Sequence, residues 1–111
     1  MALTNFFYWM LAFGTPPEKI AAISASEDIF IQICARIGPA LIREYGMSEE
    51  QVAFFTVHEE IEVKVTPIDA LLLYRYDTAQ NRKRITRAVR LSHEFELLFY
   101  DTVMAATWSE P

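Results

Sequence analysis

His58 and Glu62 stand one helical turn apart in the segment Ser48 to Pro67, where apolar residues recur at helical spacing. Phe54, Phe55, His58, Ile61, Glu62 and Val65 share one face, and Glu59, Glu60 and Lys64 fall on the other. A carboxylate inside an apolar stripe is costly to bury alone, so it needs a partner, a proton or a metal. The His58-x3-Glu62 spacing sets both side chains where one ion could bridge them. Glu27 interrupts a second stripe in the same way, among Ile20, Ile23, Phe30, Ile31, Cys34, Ile37 and Leu41. Polar groups so placed either surround a metal or satisfy one another, His58 pairing with Glu27 or Glu62.

Other reactive residues point to blander roles. His58-Glu59-Glu60-Ile61-Glu62 lacks the second histidine that a zinc-protease helix needs. Cys34 lies in an apolar stripe with no base beside it in sequence, as a small core residue does. Arg82, Lys83, Arg84, Arg87 and Arg90 are half of the 10 basic residues. They read as a solvated helix face, with Arg90 paired to Glu94 at i, i+4. Tyr74, Tyr76 and Tyr100 read as core or rim residues.

Helices must position these residues. Residues 4–13 form an apolar helix stopped at Gly14, hydrophobic almost all round and so expected to be buried on most sides. Thr15, Pro16 and Glu18 start a second helix that runs to Tyr45, with Gly46 as its stop. Ser48 and Gln51 make a capping box for the third, which ends before Pro67. Thr66-Pro67-Ile68-Asp69 opens a short helix to Tyr76, and Asp77 or Thr78 caps a last helix to Ala106. The stripe of the last helix is Ile85, Ala88, Val89, Ser92, Phe95, Phe99 and Val103. No stretch alternates with the two-residue period of a strand. The expected fold is all-α, an antiparallel helical bundle formed by a single domain over residues 1–111.

The composition says what surrounds that bundle. Apolar residues make up 52% of 111 residues, with 8 Phe, 5 Tyr and 2 Trp. So small a domain has too much surface to bury them all, and a second chain is expected to cover the surplus. The net charge of −5 argues against nucleic-acid binding. The longest unbroken apolar run, Phe6 to Phe13, is far too short to span a bilayer, and no basic segment precedes it as in a secretory signal. A single cysteine suits a reducing cytoplasm.

The order of these features resembles a known family. An apolar helix ends at Gly14, and a second helix carries Glu27 on its inner face. A third carries Phe54, Phe55 and His58 with an acid four residues on, and a last helix contains Phe99-Tyr100-Asp101. This is similar to the second half of the haem-oxygenase-like TenA, PqqC and CADD proteins, in particular their iron-containing oxidase branch. The resemblance implies half of that fold, with Glu27, His58 and Glu62 as ligands to iron and Val65 at the position of a further histidine. It implies dioxygen activation beside a small organic substrate by an assembly, the missing half coming from a second copy or a partner chain. It equally accommodates a degenerate, non-catalytic dimeric accessory module, or a metal-free small-molecule site.

Overall fold

A computed structural model describes the backbone of residues 1–108 and the side chains of residues 1–61 and 69–107. Four helices follow one another: α1 (Ala2–Phe13), α2 (Pro16–Tyr45), α3 (Ala53–Tyr74) and α4 (Ala79–Trp108). The all-α class is as the sequence predicts, and the described residues contain no strand.

Each junction has a local cause. α1 stops at Gly14 because the chain turns back too closely for a side chain. A Cβ there would lie 2.5 Å from the Met10 carbonyl oxygen. α2 opens on Pro16 and Pro17, whose missing N–H groups cost nothing at a helix start. The predicted Thr15 cap takes another form, its hydroxyl donating to Glu18 Oε1 at 2.8 Å. α2 ends at Gly46, left-handed at φ +64°, whose N–H donates to the Ile42 carbonyl.

The Ser48 box forms, with Ser48 N–H donating to Gln51 Oε1 at 2.9 Å and Gln51 N–H to Ser48 Oγ at 3.2 Å. It encloses a turn over 49–52, and regular helix begins only at Ala53. The predicted break before Pro67 does not occur. α3 continues to Tyr74, because the proline removes one hydrogen bond from a helix already formed on both sides of it. Thr78 caps α4, its Oγ1 accepting from Asn81 N–H at 3.2 Å.

Packing makes the helices alternate in direction. Ser92 of α4 meets Ala22 of α2, and Glu96 meets Ser26, so these two run parallel and in register. α1 runs against α4, with Phe6 stacked on Phe95 at 5.0 Å. α3 runs against α2, where Phe30 meets Phe54 and His58. A closed four-helix bundle would also join α3 to α4. Among the described residues those two make no close backbone approach, and α2 and α4 pack directly instead. The core is therefore a three-helix cluster of Phe6, Met10, Ala21, Ala22 and Ala88, edged by Ile85, Val89 and Phe95 and, from the end of α3, by Leu73.

Two predicted faces need correction. On α2 the buried residues are Pro17, Ala21, Ala22, Ala25, Cys34 and Gly38, while Ile23 and Ile37 of the predicted stripe are exposed. Small residues let helix axes come close, and that contact wins over the bulkier stripe beside it. On α1 only Phe6 and Met10 are buried, because neighbours cover one side alone.

Candidate functional site

His58 is half-buried on the side of α3 that faces α2. Its ring lies over Phe54, with centroids 4.3 Å apart, and edge-on to Phe30 of α2 at 5.4 Å. Nδ1 is 2.6 Å from the Phe54 carbonyl oxygen. A carbonyl can only accept, so Nδ1 carries a proton, an arrangement that in a neutral ring would leave the lone pair on Nε2. Glu27 lies one turn before Phe30 on α2, half-buried and not a free carboxylate. Both residues therefore belong to the α2–α3 half of the molecule. The side chains of Glu62 and Val65 lie outside the described residues. Among the described residues no three His, Cys, Asp or Glu side chains come together as a metal set.

Among the described residues, the most buried carboxylate is one that periodicity does not single out. Glu96 on α4 is 7% exposed and accepts a hydrogen bond from the Ser26 hydroxyl of α2. One turn earlier, Ser92 Oγ donates to the Ala22 carbonyl at 2.9 Å, fully buried. The next turn carries Tyr100, whose hydroxyl pKa is pushed up by burial first, then by Glu96 and Cys34 nearby. Its phenol thus stays protonated well above neutral pH. Cys34 is 1% exposed, as a core thiol should be. The legible signal for this seam was the i, i+4 series Ala88, Ser92, Glu96 and Tyr100, one step round from the aromatic stripe of Phe95 and Phe99. Chemically the seam satisfies its own polar atoms and fixes the register of α2 against α4.

The basic run is solvated, as predicted. Arg82 forks onto Asp77, its Nη2 donating to Oδ2 at 2.8 Å, and Arg90 lies 3.9 Å from Glu94. Hydrogen bonding to Arg82, reinforced by its charge, holds the Asp77 carboxyl below its ordinary pKa. Lys83 and Arg87 line a shallow exposed trough beside them.

Among the described residues, further clefts include two at the ends of the helices. One of about 300 Å³ lies between the start of α1 and the end of α4, lined by Met1, Leu3, Leu98, Phe99 and Val103. The other, of about 510 Å³, lies where Gly38, Pro39 and Ile42 of α2 face Val52, Thr56 and Val57. No helix among the described residues is long and apolar enough to cross a membrane. No protein-family model, curated protein or solved structure matches the chain.

Proposed function

We propose that this chain is a non-catalytic association module, a small helical protein that works as a homodimer. One observation carries the reading: the molecule exposes far more surface than a compact chain of its mass. Its accessible surface is 8192 Å². A compact monomer of 12.8 kDa exposes roughly 6,300 Å². Large apolar side chains occupy much of the difference, among them Tyr8, Trp9, Leu11, Phe13, Phe54, Ile61 and Leu71. Surfaces of that kind mark contact sites. In this reading the chain is half of a haem-oxygenase-like arrangement that a second copy completes. Light scattering at micromolar concentration is expected to give twice the chain mass. A monomer that binds no hydrophobic dye would sink the reading.

A second reading keeps the iron-dependent oxidase of a small organic substrate, and the posture of His58 favours it. Metal-binding histidines commonly donate one ring N–H to a carbonyl and present the other nitrogen to the ion. The candidate ligands are Glu27, His58 and Glu62, too few donors to hold iron firmly unless a second chain contributes. Metal analysis of protein purified without chelators separates the readings. Stoichiometric iron, lost in His58→Ala, moves the assignment to the oxidase.

A further inference from the structure

Which face meets the second copy follows from charge and shape. This step rests on the self-association just proposed and names its surface. We propose that two copies pair through α1 across a two-fold axis, with the helices antiparallel. Trp9 and Phe13 of each copy then seat in the α1–α4 cleft of the other.

The charge pattern selects this face. Two chains of net charge −5 repel wherever acidic surfaces meet. Residues 1–17 carry no charged side chain, and residues 97–107 carry only Asp101. α1 and the end of α4 therefore form a surface that two copies can share without opposing like charges. Another exposed apolar surface, Phe54, Val57 and Ile61 on α3, is interleaved with Glu59 and Glu60 and follows Glu49 and Glu50. Pairing there would set acid against acid.

The shape of α1 is self-complementary. Its C-terminal half presents a ridge of Trp9 and Phe13 at i, i+4, 45% and 76% exposed. Its N-terminal end is one wall of the 300 Å³ cleft completed by Leu98, Phe99 and Val103. A two-fold contact is isologous, so whatever one copy offers the other must receive. An antiparallel pair centred between residues 7 and 8 sets residue 2 of one helix beside residue 13 of the other. Each ridge then meets a cleft, and Phe99 and Val103, half-open at the end of α4, are covered from the far side.

The test uses the whole chain and two surface variants. The wild type is expected at twice 12.8 kDa by light scattering. Trp9→Glu/Phe13→Glu should halve that mass with helicity retained, and Phe54→Glu/Ile61→Glu should leave the dimer intact. A Trp108→Phe variant makes Trp9 the only tryptophan, and its emission should shift to the red as the dimer is diluted apart. That readout stands even if the double variant fails to fold. A dimer that survives Trp9→Glu/Phe13→Glu, or that only the α3 variant breaks, overturns the α1 interface while self-association stands. Trp9 emission that ignores dilution across a measured dissociation does the same. A wild type that is monomeric at all concentrations overturns both.

Discussion

The α1–α2–α4 cluster and the α2–α3 arm are built from equally apolar sequence, yet only the first makes a continuous core. In the cluster, Phe6, Met10, Ala21, Ala22 and Ala88 close against one another on three helices. In the arm, α3 leans mainly on α2, with Leu73 near its end packing against the cluster, and Phe54 and Ile61 are more than half exposed. The difference lies in the partners, since a helix buries only the faces that neighbours cover. α2 serves both regions, its first half meeting α4 through alanine and serine, and Phe30 and Gly38 further along meeting α3. The radius of gyration, 16.4 Å, records the open side. A compact chain of this length has about 13 Å.

The largest effect expected of a single substitution therefore lies in the cluster. Met10 is 1% exposed, and Met10→Ala should cost about 2–5 kcal/mol in unfolding free energy by urea titration. Phe54→Ala, on the arm, should cost about 1 kcal/mol or less. Amide exchange sharpens the contrast, with α3 amides exchanging faster than those of the first half of α2. Equal costs and equal protection would show that the arm is as firmly packed as the cluster.

Next in size is the polar seam that ties α2 to α4. Glu96→Ala removes the acceptor of the buried Ser26 hydroxyl and should cost about 1–3 kcal/mol. Glu96→Gln keeps an acceptor and should cost less. Glu94→Ala, two residues away on the exposed face, should change stability by about 0.5 kcal/mol or less. A Glu96 variant as silent as the Glu94 variant would mean that the register is set by alanine packing alone.

This seam also marks what was legible in the sequence and what was not. Helix ends marked by a backbone requirement were readable. Gly14, Gly46 and Thr78 stand where the chain demands no side chain, a left-handed turn and a cap. The continuity of α3 through residue 67 was not, because a proline states a local cost and not the stability of the helix on either side. The facing of each stripe was readable to within one position. Glu27 and Glu96 are both acids beside aliphatic stripes, and only the packing of a neighbouring helix decides which is sealed. Glu27 ended half-buried beside the arm, whereas Glu96 ended against Ser26 in the cluster. Periodicity puts His58 on one stripe with Phe54 and Ile61, and of these His58 is half-buried while Phe54 and Ile61 are exposed.

The turn from α2 into the arm offers a smaller test. Gly46 holds φ +64° with open space around its missing side chain, so Gly46→Ala brings strain and no collision. The left-handed conformation costs an ordinary residue about 1–2 kcal/mol. Gly46→Asn, which tolerates that region better, should recover part of the loss. If both variants match wild type in urea titration, the turn relaxes freely and the arm is not held by it.

The smallest effect belongs to the junction where the arm returns to the cluster. Asp77 and Arg82 bridge the end of α3 and the start of α4 in a two-pronged pair. The pair is solvent-exposed, so only a small shift in melting temperature is expected for Asp77→Asn at pH 7. Its pH dependence has a definite sign. The folded-state pKa of Asp77 is lowered by hydrogen bonding to Arg82, so its contribution is present above the unfolded value of about 3.9. It fades as pH falls through the folded value, where the carboxylate takes up a proton. Wild type and Asp77→Asn should differ at pH 7 and converge once the pH falls below the folded-state value, and about 1 M salt should shrink the difference at pH 7. The Thr78 cap is uncharged and remains in both proteins, so helix-start protection at Asn81 and Arg82 should survive the substitution. A difference that persists unchanged at low pH would assign the effect to the turn's backbone and not to the ion pair. The junction would then be held by the cap alone.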